Sequence, residues 1–180
     1  MKTVAFRRGD RVEVASEEEG FHGSYFEGTV VEVLGSSQYK VEYVNLTTEE
    51  DESELLIETV AGEFIRPVPP RIRFGSGGFG VMDAVDAWDN DAWWVGRVTG
   101  KKGPMYYVYF DYTGDEIAYP VSMLRVHLDW VNGQWVSPDK GKKRGRDSTQ
   151  SEPAKSVEKE EEKKKQKMRR ISDMVYAIKV

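Results

Sequence analysis

The chain repeats itself. Tyr25-Phe26-Glu27-Gly28-Thr29-Val30 is matched by Trp93-Trp94-Val95-Gly96-Arg97-Val98, Tyr39-Lys40-Val41-Glu42-Tyr43 by Tyr106-Tyr107-Val108-Tyr109-Phe110, and Phe64-Ile65-Arg66 by Met123-Leu124-Arg125. The order is kept and the spacing nearly kept, with a period of ~65 residues. Between the copies stands Pro67-Val68-Pro69-Pro70. Proline lacks an amide N–H and cannot continue a ladder, so a boundary between two units belongs there. A unit of this size holds about five short strands around a small core, which points to a small barrel duplicated in tandem. Each copy alone is marginal, so the two are expected to dock.

Within each copy, alternation separates an inward from an outward face. Phe26, Gly28 and Val30 share one face and read as core, as do Trp94, Gly96 and Val98; Tyr25 and Trp93 then face the other way. Tyr106, Val108 and Phe110 form another alternating face with the look of core. Glu17-Glu18-Glu19-Gly20, Gly35-Ser36-Ser37 and Asp89-Asn90-Asp91 are turn signals, and Asn132-Gly133 between Trp130 and Trp135 marks a tight hairpin. No long helical pattern precedes residue 139.

Charge and aromatic content divide the chain again. Its 180 residues carry 26 Lys+Arg and 31 Asp+Glu, a net of −5. Residues 1–139 hold a net −12 and all five Trp, while residues 140–180 hold +7 and a single Tyr. The expected organisation is a first module over residues 1–68, a second over 69–138 and a basic low-complexity tail over 139–180. The tail reads as disordered and then weakly helical from residue 158, with basic clusters suited to nuclear import or nonspecific DNA or RNA contact through residues 140–170. An acidic folded part favours basic partners over phosphate backbones. With no Cys and only His22 and His127, disulfides, thiolate metal sites and a Cys nucleophile are excluded, and no acid–base pair with supporting partners can be named. Asp86, Asp89 and Asp91 lack the calcium-loop pattern. The expectation is a binding protein, not an enzyme, with no cofactor and no metal. No apolar run reaches membrane-spanning length, and no membrane partner is expected.

Glu18-Glu19-Gly20-Phe21-His22-Gly23-Ser24-Tyr25-Phe26 resembles the first-module signature of the plant Agenet domains, and Val85-Asp86-Ala87-Trp88-Asp89-Asn90-Asp91-Ala92-Trp93-Trp94-Val95-Gly96 the second. Leu124-Arg125-Val126-His127-Leu128-Asp129-Trp130 and the closing Trp130-Val131-Asn132-Gly133-Gln134-Trp135 fit as well. The resemblance spans residues ~6–136. Tyr25 stands where the family more often has Trp, and Ala92 where it often has Gly. The family implies an all-β fold of tandem Tudor-like, SH3-like barrels. It also implies a nuclear chromatin reader that binds a histone tail peptide carrying methylated lysine.

Aromatic faces suit a methylated ammonium, which keeps its charge but loses hydrogen-bond donors. Carried onto this sequence, the family's cage positions fall in the second module on Trp88, Trp93, Phe110 and Tyr112, with Asp111 and Asp115 as anions. In the first they fall on Phe21, Tyr25 and Tyr43, with Glu17, Glu18 and Glu19. Each ring also has a plain reading as barrel core or inter-module packing. Which module holds the working cage stays open. The alternative reading is an RNA-binding or protein-scaffold module, its rings stacking on bases.

Overall fold

The computed structural model describes residues 5–73 and 77–138. The expectations for the tail beyond lie outside the described residues. The described residues are all-β, two small Tudor-like barrels in tandem. The first is built from β1 (Arg11–Ala15), β2 (Ser24–Gly35), β3 (Gln38–Thr47), β4 (Leu55–Ala61) and β5 (Ile65–Pro67). The second uses β6 (Ala84–Asp89), β7 (Ala92–Lys102), β8 (Met105–Phe110), β9 (Asp115–Pro120) and β10 (Leu124–Val126). A separate hairpin of β11 (Asp129–Val131) and β12 (Gln134–Val136) follows. In each barrel one 3₁₀ turn, Gly62–Phe64 or Val121–Met123, tips the chain into the short closing strand.

The repeat holds at the level of single hydrogen bonds. The Asp10 carboxylate accepts from Arg7 N at 2.8 Å, and the Asp83 carboxylate from Gly80 N at 2.8 Å. Just beyond each, Val30 N donates to Asp10 O and Val98 N to Asp83 O, both at 3.0 Å. The segment from Gly80 to Asp83 is therefore a turn, and β6 begins only at Ala84.

Two cores match position for position. Phe6, Val12, Val14, Val30, Tyr39, Val41, Tyr43, Val60 and Ile65 pack together in the first barrel. Phe79, Val85, Ala87, Val98, Tyr106, Val108, Phe110, Tyr119 and Leu124 do so in the second. A Phe meets a Tyr edge-on in each, Phe6–Tyr39 at 5.6 Å and Phe79–Tyr106 at 5.5 Å. The barrels are so narrow that β2 and β3 nearly touch side chain to backbone. A Cβ on Gly28 would lie 2.5 Å from a methyl of Val41, and one on Gly96 2.5 Å from a methyl of Val108. Only glycine fits such an approach.

The barrels share one sheet. β2 and β7 pair antiparallel through Ser24↔Trp94 and Tyr25↔Trp93, so ten strands are continuous. Docking of the two copies is thus both hydrogen-bonded and, as shown next, ionic.

Candidate functional site

Tyr25 and Trp93 lie on the seam between the barrels, and each faces a cation of the protein itself. The Arg66 guanidinium sits 3.3 Å from the Tyr25 ring centroid, and that of Arg125 4.1 Å from the Trp93 ring. Trp93 also donates Nε1–H to Glu27 at 2.9 Å and packs on Trp88 at 5.1 Å. The outward face of β2 and β7 is therefore covered at this point, because the second barrel is what lies outside the first.

Beneath these rings is a buried ionic cluster. Glu13 and Asp86 are 0% exposed and Arg66 3%. Glu13 accepts from Arg66 Nε at 2.9 Å and from Arg125 at 2.7 and 2.9 Å. Asp86 accepts from Arg125 Nε at 2.8 Å and contacts His127 Nδ1 at 2.5 Å. Arg66 donates onward to the Leu128 carbonyl at 3.2 Å, and His127 Nε2 meets Asp129 at 3.1 Å. Register explains the pairs. Glu13 faces Arg66 across β1–β5, and Asp86 faces Arg125 across β6–β10.

The charges hold one another in ionised form. Burial alone would raise the Asp86 pKa, but His127, Arg125 and Arg66 outweigh it and the net direction is down. Burial would lower that of His127, but its bonds to Asp86 and Asp129 carry it up. Burial works against Arg125 too, and Glu13 and Asp86 override it. A raised histidine contributes stability that is complete below its unfolded pKa of about 6.5 and is lost as pH rises through the folded value. The lowered Asp86 contributes stability that is present above about 4 and is lost as pH falls through its folded value. Urea denaturation should therefore show the chain losing stability from pH 6 to pH 9, with the loss shallower in His127→Asn. Identical pH slopes in the two proteins would remove His127 from the account.

A cavity of about 310 Å³ opens at the end of the first barrel where β1 stops and β2 begins. Phe21, Phe26, Tyr43 and Phe64 supply its aromatic walls, with Leu46, Leu56 and Val60 between them. Phe26 and Tyr43 meet at 85° and 6.4 Å, and Phe21 and Phe26 at 52° and 6.1 Å. Glu17, Glu18 and Glu58 stand on the rim, and the Tyr43 hydroxyl donates to Glu58 at 2.8 Å. Burial and then the Glu58 charge push the Tyr43 pKa up, so the phenol stays neutral. Asn90 completes the lining. It comes from the second barrel, from the β6–β7 turn where Asn90 and Asp91 take φ of 46° and 60°. Steeply inclined rings with carboxylates at the mouth can take an alkylated cation. The methyl groups pack on the ring faces, and the charge is met by the ring quadrupoles and the anions.

The sequence-derived candidates divide accordingly. The structure brings Phe21, Tyr43, Glu17 and Glu18 into the cavity and leaves Tyr25 on the seam; Glu19 is exposed and outside the lining. Of the second-module set, Trp88 and Trp93 pack together, and the others lie apart from them. Phe110, the counterpart of the cavity-lining Tyr43, lies edge-on to Tyr119 at 6.1 Å in the second core. Tyr112 is exposed and stacks on His22 at 6.2 Å. Asp111 pairs with Arg97 at 3.5 Å, and Asp115 faces Phe110 across β8–β9. In this barrel larger side chains fill the matching end. Trp94 stands for Phe26 and Tyr119 for Val60, both tied to Asp89, through Trp94 Nε1 to its carbonyl and the Tyr119 hydroxyl to its carboxylate, each at 2.8 Å. Phe26 and Phe64 were missed because an inward-facing ring reads as core. At the open end of a barrel the inward face is the cavity wall, and the nearby Gly20 and Gly23 loop is the signal that the strand ends there.

The fold and the cavity are those of a binding module. The Agenet domain family model matches residues 9–70. The AGD34 segment of Arabidopsis thaliana AGDP1 is 39% identical, covering 74% of this chain and 90% of that one, with a TM-score of 0.67. ADCP1 tandem Agenet domain 3-4 is 37% identical, covering 74% and 88%, with a TM-score of 0.64. Arabidopsis thaliana Agenet domain-containing P1 is 40% identical over 161 residues, 86% of this chain and 31% of that protein. DUF724 domain-containing protein 6 of the same plant is 36% identical over 137 residues, 19% of its length. The chain belongs to the Agenet domain family, and it spans about a third or less of these curated relatives.

Proposed function

We propose that the chain reads methylated lysine on a basic histone tail, in the nucleus, through the first-barrel cavity. The observation that carries the reading is the set of inclined rings, Phe21, Phe26 and Tyr43, beneath a rim of Glu17, Glu18 and Glu58. A flat aromatic platform would suit a nucleobase, but this acidic rim repels phosphate. The lysine's four-carbon stem enters between the rings, and flanking Lys or Arg of the tail meets the rim carboxylates.

Calorimetric titration with histone-tail peptides, trimethylated and unmodified, tests this. Phe26→Ala removes a ring wall and should weaken the methylated peptide by about 1–2 kcal/mol. Glu58→Gln should weaken both peptides and flatten the salt dependence of binding. Equal affinity of the wild type for methylated and unmodified peptides would sink the reading.

A further inference from the structure

The cavity rim is more anionic than one methylated ammonium requires. Thr47 at the end of β3 and Leu56 near the start of β4 both line the cavity, so the β3–β4 loop springs directly from its wall. That loop carries Glu49, Glu50, Asp51, Glu52 and Glu54, all exposed. With Glu17, Glu18 and Glu58 they make a carboxylate collar on the segments that border the aromatic hole.

The same chain supplies a cationic counterpart. Lys163-Lys164-Lys165-Gln166-Lys167-Met168-Arg169-Arg170 has six cationic residues in eight and no acidic one. Twenty-five positions separate Lys163 from Pro138, the last residue described. That contour extends to about 80 Å, against a radius of gyration of about 14 Å for a fold of this size. Reach is therefore no obstacle. An unmodified lysine has the same stem as a methylated one and a head group of the same charge. Its weaker fit to the rings is offset by tethering, which gives an effective concentration in the millimolar range.

We infer that residues 163–170 dock in the carboxylate collar of their own chain and place a lysine in the aromatic hole, as a tethered competitor of the peptide. This rests on the reading of the cavity as a lysine-binding pocket. By itself the sequence assigns the segment to import or nucleic acid; the collar gives it a nearer partner.

The test compares the full chain with the full-length variant Lys163→Ala, Lys164→Ala, Lys165→Ala, Lys167→Ala. Binding of a fluorescein-labelled trimethyl-lysine histone peptide is measured at 50 mM and 500 mM salt. In parallel, zero-length carbodiimide cross-linking of the wild-type monomer is read by mass spectrometry. The variant should bind about three- to tenfold tighter at low salt, with the difference gone at high salt. Cross-links should join Glu17, Glu18, Glu58 or the β3–β4 loop to lysines 163–167 within one chain. Peptide binding equal in the two proteins, with no such cross-links, overturns the inference while leaving the reader intact; the tail is then free for nucleic acid. Cross-links found only between chains overturn it as well. If neither protein binds the peptide but the intramolecular links form, the docked tail stands and the methyl-lysine reading falls.

Discussion

Replacing Glu13 by Ala should destabilise the protein by about 3–5 kcal/mol, the scale for removing one member of a buried ion cluster. The Glu13 carboxylate is wholly buried and holds both Arg66 and Arg125. Without it, two guanidiniums remain in a low-dielectric seam with Asp86 as their shared anion. Neither can leave easily, because Arg66 lies under the Tyr25 ring and Arg125 against Trp93. At roughly 3–5 °C per kcal/mol for a fold of this size, the melting point should fall by more than about 10 °C. Glu13→Gln keeps the shape and some hydrogen bonding and should fall between wild type and Glu13→Ala. Urea denaturation of the three proteins decides it. A loss below about 1 kcal/mol for Glu13→Ala would mean that water reaches the seam and the cluster contributes little.

The second expected result concerns the halves. A chain of residues 1–73 should show no cooperative unfolding transition, although the Agenet family model matches residues 9–70 within it. Cut there, Glu13 loses Arg125, Arg66 loses the Leu128 carbonyl, β2 loses its pairing with β7, and Phe21 loses Trp94, stacked at 6.2 Å. What is left is a small core carrying a buried arginine–glutamate pair newly exposed on one side, and units of this size are marginal even when self-contained. Near-ultraviolet circular dichroism and proton NMR dispersion against urea would check this. A sharp transition at the midpoint of the full chain would show that the seam is dispensable.

Much of the fold is legible because a barrel this narrow leaves little choice. Gly28 and Gly96 must approach the facing strand, and the aromatic and β-branched residues must alternate, so both copies announce their inward faces in the sequence. The seam is not legible in that way. Glu13 and Asp86 read as ordinary polar positions of alternating strands. Only the pairing of β2 with β7 turns their face inward, and that pairing is a long-range event. The same ambiguity governs the rings. Tyr25 and Trp93 point out of their barrels, as alternation says, but outward here means toward the other barrel. Phe26 points in, and inward at an open barrel end means toward ligand. Phe21 and Tyr43 were found because the family pattern marks loop and strand-end positions, where alternation has no say.

The seam relates equivalent residues to each other: Tyr25 lies opposite Trp93, and Glu13 meets Arg125 as Asp86 meets Arg66. This is the geometry of a two-fold axis, the isologous contact by which identical subunits form a dimer. Written into one chain, such a dimer cannot dissociate on dilution. It is also released from being symmetric. A homodimer must carry two identical barrel ends, both hollow or both filled. Here one end holds Phe26 and Val60 around a cavity, while the other holds Trp94 and Tyr119, anchored to Asp89. The hollow end borrows Asn90 from the turn that follows Asp89 in the filled one. One half thus supplies part of the wall of the other's pocket.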